Sequence, residues 1–148
     1  MNSRTLRWRF HFNAMHNMSP EKEEGKHTHS FLVILCMEVE SMDLDQQNKC
    51  EKALKEYFEQ FNGKYLNELD AFKGELPTIE KIAEAIYPET EKLASDYGMQ
   101  QIMLQWKLLT DGLKQKYLMI FISQATKILS RKSKITLCSL TKSVLRIL

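Results

Sequence analysis

The 148-residue chain contains three cysteines, Cys36, Cys50 and Cys138, and no two of them form a CxxC pair. An odd number of widely spaced thiols excludes a disulfide framework and gives no thiolate metal motif, so a reducing, cytoplasmic setting is expected. Long apolar stretches are also missing: nowhere do ~18 apolar residues run together, as a membrane-crossing helix would need. The first residues alternate arginines with aromatics and lack the apolar segment of a signal peptide. The expectation is a soluble protein with no membrane partner. No internal repeat is present.

Negative charge is absent from one end. Residues 1–111 hold 13 basic and 19 acidic side chains, net −6, whereas residues 112–148 hold eight basic and none acidic, net +8. A basic tail on an acidic body could meet nucleic acid, an anionic membrane surface or the acidic face of a sister subunit, and the last is the simplest. No nucleic-acid-binding motif accompanies the charge, so nucleic acid is not the expected partner. The length and the 43% hydrophobic content fit one domain with one core.

What is present is periodic. Over residues 6–16 the even positions read Leu, Trp, Phe, Phe, Ala, His while the odd ones are mostly polar, which predicts a half-buried strand whose apolar face ends on His16. Residues 17–26 carry Pro20 and Gly25 among polar side chains and read as a loop. A second strand is predicted over 27–39, with His27, His29, Phe31, Val33 and Leu35 on one face and Leu32, Ile34 and Cys36 on the other, the middle being buried on both sides. Joined by one loop, the two strands most simply pair antiparallel.

Residues 41–48 read as a connection. Cys50, Ala53, Leu54, Tyr57, Phe58 and Phe61 then recur at helical spacing, ending near Asn62-Gly63. Pro77-Thr78 opens a second helix, with Thr78 as N-cap and Glu80 in its first turn. Pro88 is expected to break or kink it, with a further helical piece over 89–97. Alternation from Ile102 to Leu108 predicts a third strand, and residues 117–123 are compatible with a fourth. The order β-β-α-α-β-β indicates an α+β domain over residues 1–123, one antiparallel four-stranded sheet with its helices on one face. Residues 124–148 form a basic tail, read as helical.

Three of the four histidines converge in this scheme. His27 and His29 project from one face because they are two apart in a strand, their Cβ atoms roughly 6.5–7 Å apart. His16, at the adjacent strand end, can complete the set. Three neutral imidazoles with a fourth position open to water or substrate describe a catalytic type of zinc site. The bland alternative for the HxH pair alone is two partly exposed histidines with no ligand, and the independently placed His16 argues against it. His11 points to the polar face and is expected to be solvated. Cys36, opposite His27 and His29, reads as core.

Phe12-Asn13-Ala14-Met15-His16 resembles the F-x-A-x-H opening of the 6-pyruvoyltetrahydropterin and 6-carboxytetrahydropterin synthase family, and His27-Thr28-His29 resembles its HGH. Tyr65-Leu66-Asn67 is similar to the family's LN after the first helix, and Pro77-Thr78-Ile79-Glu80-Lys81-Ile82-Ala83 to its PT-x-E-N-[IL]-A. These ordered matches span about residues 10–110. The resemblance implies a tunnelling fold, in which subunits join their sheets into a barrel, and a hexamer of two stacked trimers. It also implies zinc held by His16, His27 and His29, and substrate-binding positions at Thr78, Glu80 and Gln105. The implied substrate is 7,8-dihydroneopterin triphosphate or a related pterin. The implied reactions are triphosphate elimination or, in queuosine biosynthesis, side-chain rearrangement and cleavage. The shortness of the chain places it on the 6-carboxytetrahydropterin synthase side.

Three departures bear on activity. The family's catalytic cysteine before HGH has no counterpart in residues 17–26, where Glu21, Glu23 and Glu24 stand instead. Glu23 and Glu24 are therefore the candidate bases, with solvated loop charges as the alternative. Asn62-Gly63 occupies the place of the family's Asp-His. Gln105 stands near the position of a pterin-anchoring glutamate and cannot offer a carboxylate's paired acceptors. Two functions follow as alternatives: a zinc-dependent pterin synthase-like lyase, or a catalytically degenerate or repurposed relative that binds a purine- or pterin-like ligand.

Overall fold

The computed structural model describes the backbone of residues 4–19, 21–40, 43–110 and 114–122, and the side chains of these apart from Glu23 and residues 106–122. The chain runs β1 (Arg4–Asn17), β2 (Lys26–Val39), α1 (Leu44–Glu59), α2 (Ile79–Asp96), β3 (Gln100–Thr110) and β4 (Lys114–Ile122). Short 3₁₀ turns lie at Glu23–Gly25, Leu66–Glu68 and Asp70–Phe72. The strands form one antiparallel sheet in the order β1-β2-β3-β4. The tail reading over 124–148 lies outside the described residues.

Alternation decides which face of the sheet meets the helices. Phe10, Phe12 and Ala14 of β1 and Phe31, Val33 and Leu35 of β2 are buried in one core with Cys50, Leu54 and Phe58 of α1 and Ile82 and Ile86 of α2. Aromatic rings fill its centre: Phe10 stacks on Phe58 at 5.0 Å between centroids, and Phe12 meets Phe31 at 5.2 Å and Phe61 at 5.6 Å. Burial of such rings is the largest single source of core stabilisation available here. Ile34 and Cys36 are buried on the opposite face, so the middle of β2 is covered on both sides.

Two expectations are corrected. The segment read as a connection over 41–48 is helical from Leu44, because Asp43 caps it: its Oδ1 accepts from the backbone N–H groups of Asp45 (3.0 Å) and Gln46 (3.2 Å). That first turn is polar and mostly exposed, so it carries no apolar stripe. Pro88 does not break α2, which continues from Ile79 to Asp96. The ring sits on the exposed side, and the carbonyls beside it gain side-chain donors. The Thr90 hydroxyl is shared between the carbonyls of Ile86 (3.2 Å) and Tyr87 (3.1 Å). Gln101 of β3 also donates to the Tyr87 carbonyl, at 3.5 Å.

The last turn of α1 leads back along the free edge of β1. Gly63 adopts φ 71°, a conformation that favours glycine, and its N–H donates to the Asn13 carbonyl at 2.6 Å. Met15 N–H donates to the Lys64 carbonyl at 2.8 Å, and Met15 and Tyr65 form a parallel bridge. The end of β1 that carries His16 is therefore hydrogen-bonded on both edges.

Candidate metal centre

His16 and His27 are direct partners in the antiparallel register of β1 and β2, and His29 lies two residues further along β2. Their ring centroids are 4.6 Å apart for His16 and His27, 5.0 Å for His16 and His29, and 4.6 Å for His27 and His29. One ligand nitrogen from each ring can be chosen so that all lie within 4.8 Å of one another. Tetrahedral zinc with Zn–N bonds of about 2.0–2.1 Å separates its nitrogens by about 3.3–3.4 Å, so small ring rotations would close the set. His16 is buried, His29 half-buried and His27 exposed, which leaves the cluster open on one side.

Carbonyl partners set two of the three tautomers. His16 Nδ1 lies 3.0 Å from the Pro77 carbonyl oxygen, and His27 Nδ1 lies 2.7 Å from that of Gly25. A carbonyl only accepts, so each Nδ1 carries a proton, and in the neutral ring each Nε2 is then the nitrogen with the lone pair. His16 Nε2 is buried without a hydrogen-bond partner. A buried acceptor of this kind is costly unless something fills it. A cation held by neutral imidazoles meets that requirement, and the donor set fits a metal ion.

Electrostatics act in the same direction. Burial lowers the pKa of His16 below its ordinary 6.5, and repulsion from a proton on neighbouring His27 adds to the lowering. The hydrogen bond to Pro77 opposes both without reversing them. His16 is thereby kept in the neutral form that can bind a cation.

The loop between the strands is held by Asn17, which is buried, 2% exposed. Its backbone N–H donates to Asn67 Oδ1 at 2.9 Å and its carbonyl accepts from Asn67 Nδ2 at 2.8 Å, so the Asn67 amide pairs with β1 like another peptide. Its side chain accepts from Ser19 N–H and donates to the Lys22 carbonyl, both at 2.8 Å. Lys26, at the start of β2, lies over the Tyr65 ring at 4.0 Å. Asn17 and the Gly25 and Pro77 carbonyls were not among the residues singled out from sequence. The one sequence signal for them was the YLN and PT resemblance, which draws attention to Asn67 and Pro77 but assigns them no partner.

The other candidate residues are more scattered. Thr78 caps α2, its hydroxyl accepting from Lys81 N–H at 3.2 Å, and it adjoins the carbonyl that holds His16. Glu80 is exposed in the first turn of α2. Glu23 lies by its backbone in the 3₁₀ turn before β2, and Glu24 is exposed there. Gln105 is not brought to the histidines within one chain. Its register partner Ile34 is five residues along β2 from His29, about 16 Å at ~3.3 Å per residue, and an odd offset puts it on the opposite sheet face. Asn62 uses its side chain structurally, accepting from Asn13 N–H at 3.0 Å and donating to Glu59 at 3.0 Å. Cys36 and Cys50 are buried free thiols, and burial raises the pKa of both, that of Cys50 to about 11. His11 is exposed.

Comparison with known proteins bears on the family and the fold. A family model described as 6-pyruvoyl tetrahydropterin synthase matches residues 5–105. Among solved structures, the chain is similar to Caenorhabditis elegans 6-pyruvoyl tetrahydropterin synthase, with a TM-score of 0.61 and 14% identity. That match covers 84% of this chain and 98% of the other. No curated protein matches the chain significantly by sequence. At such low identity the structural likeness speaks for the fold, which is the tunnelling fold expected from the motifs.

Proposed function

The chain belongs to the 6-pyruvoyl tetrahydropterin synthase family, and from that membership we propose that it is a zinc-dependent pterin synthase of the 6-carboxytetrahydropterin type. The proposed substrate is 7,8-dihydroneopterin triphosphate or a related pterin, and the proposed setting is cytoplasmic queuosine biosynthesis. One observation carries the reading: His16 and His27 stand in one cluster with His29, and each has its Nδ1 engaged by a backbone carbonyl, which leaves Nε2 as the nitrogen available to a ligand. Zinc in that position would polarise a substrate oxygen. The chain's own part is to keep His16 neutral, to aim His16 and His27 through their Nδ1 hydrogen bonds, and to leave the exposed His27 side open for the ligand.

The substrate would be gathered by Thr78 and Glu80 at the start of α2 and by Gln105. Since Gln105 lies far from the histidines of its own chain, it can take part only where another subunit supplies it. The reading therefore includes a homo-oligomer, a hexamer of two stacked trimers. Glu23 and Glu24, in the turn before β2, are the proposed candidates for moving a proton. No helix among the described residues is long and apolar enough to cross a membrane.

Metal analysis and turnover test this together. Purified protein should carry zinc and convert 7,8-dihydroneopterin triphosphate. Zinc content that is absent, or undiminished by His27→Ala and His29→Ala, would sink the metal reading.

A second reading is a repurposed relative that binds a pterin- or purine-like ligand without the lyase reaction. It is favoured by Asn62 and Gly63, which stand where the family carries Asp-His and whose polar groups are engaged with Asn13 and Glu59. Saturable pterin binding without turnover would select it.

A further inference from the structure

We propose that Asn17 is the positioning residue of the metal centre: through the loop after β1 it fixes the tautomer and aim of His27. The inference rests on the metal reading above but concerns residues outside the ligand set. His27 is the exposed member of the triad, and the carbonyl that engages its ring lies outside its own strand. Its Nδ1 is held instead by the Gly25 carbonyl, two residues earlier, at 2.7 Å. The position of that carbonyl is thus the position of the ligand.

Gly25 is in turn fixed to Asn17. The Lys22 carbonyl accepts both from Asn17 Nδ2 at 2.8 Å and from Gly25 N–H at 3.1 Å, which makes it the common point of the loop. Asn17 Oδ1 accepts from Ser19 N–H at 2.8 Å, so one side chain holds the loop at both its beginning and its later turn. Gly25 packs directly on that side chain. A Cβ built on it would stand 2.5 Å from Asn17 Oδ1, a distance that real Cβ atoms essentially never show. Glycine is required there by close approach rather than by its backbone angle.

Asn17 is itself immobilised. Its backbone N–H and carbonyl both bond to the Asn67 amide, so each of its four polar atoms makes a hydrogen bond at 2.8–2.9 Å. The sequence of contacts runs from Asn67 to Asn17, to the Lys22 carbonyl, to Gly25 and to His27 Nδ1. Groups that orient a ligand's second nitrogen commonly change metal affinity by roughly 10- to 100-fold when removed. Asn17 has that role one step further out, and it acts on His27 without touching it.

The test reads the imidazole directly and then the metal. In zinc-free protein at pH 8, ¹⁵N imidazole spectra should show His27 protonated on Nδ1, and Asn17→Ala should shift it toward a mixture of tautomers. His16, held by Pro77, should not change. In chelator competition Asn17→Ala should weaken zinc binding by roughly 10- to 100-fold. Gly25→Ala should weaken it as well, but by less in the Asn17→Ala background, where the clash has been removed. If Asn17→Ala fails to fold, Asn67→Ala leaves the side-chain bonds of Asn17 in place and should give a smaller shift of the same kind. An unchanged His27 tautomer in a folded variant would overturn the proposal, as would zinc affinity within twofold of the parent. If the parent protein binds no zinc, the metal reading fails, and the tautomer spectra still decide whether Asn17 positions His27.

Discussion

His16 and His27 face each other across the β1–β2 ladder, with ring centroids 4.6 Å apart, yet each ring is held by a carbonyl from a different part of the chain, Pro77 and Gly25 respectively. The strands bring the rings together and the loops set their tautomers. Ligand removal should therefore separate metal affinity from folding. His27 is exposed, so His27→Ala should change the stability of zinc-free protein by less than about 0.5 kcal/mol. Zinc at 100 times its dissociation constant should stabilise the parent by about 2.7 kcal/mol. The variant should lose most of that increment, as thermal melts with and without zinc would show.

The pH dependence follows from His16. Its folded pKa is lowered, chiefly by burial, while the unfolded chain titrates near 6.5. Between the two values the unfolded state binds more protons, so stability rises with pH across that window. The contribution is complete above about 6.5 and is lost as pH falls through the folded value. Urea titrations of zinc-free protein at pH 8 and pH 5.5 should show this decline, and His16→Asn should reduce it. An unaltered pH slope in the variant would assign the decline to other groups.

Much of this site was legible in the sequence because a strand's period of two is so restrictive. The alternation ending on His16, and the HxH at the start of the next strand, can meet only if the strands pair antiparallel across a short loop. The placement of Gln105 was not legible. Its register against β2 follows a two-helix connection and an irregularity between Cys36 and Met37, neither of which leaves a local signal. The Asn17–Asn67 pairing was hidden for another reason. It joins residues 50 positions apart through a side-chain amide that substitutes for a strand, and no periodicity marks such a contact. Leu44 is one of the exposed residues in the first turn of α1, so that turn has no apolar stripe to announce it.

The aromatic cluster ties the histidine-bearing end of β1 to α1. Phe12 is 3% exposed and contacts the rings of Phe31, Phe58 and Phe61. Phe12→Ala should cost about 3–5 kcal/mol in denaturant unfolding, the usual range for deleting a buried phenyl group. Phe12→Leu retains most of the volume and should cost less than half as much.

Burial should also protect the thiols. Cys50 is 0% exposed, and its pKa is raised to about 11, mainly by desolvation. The thiolate is the reactive form, so at pH 8 alkylation followed by peptide mapping should leave Cys50 unmodified until the protein unfolds. Rapid labelling of Cys50 under native conditions would contradict its placement against the sheet.

Pro88 offers a test of how α2 tolerates a residue that should interrupt it. Proline has no N–H, so the Glu84 carbonyl loses its intrahelical donor, and the ring crowds that same carbonyl. The site is exposed, so water can satisfy Glu84, and the Thr90 and Gln101 side chains donate to carbonyls of the adjoining turn. Pro88→Ala restores one backbone bond and removes the crowding. Set against that are the greater freedom of the unfolded alanine chain and a turn already adjusted to proline. The net effect should be a gain of about 1 kcal/mol, well short of the ~3 kcal/mol separating alanine from proline in an unadapted helix. Thr90→Val in the same background should then cost less than in the parent, because the restored ladder relies less on that hydroxyl. Equal costs in the two backgrounds would show that Thr90 supports its carbonyls independently of the proline.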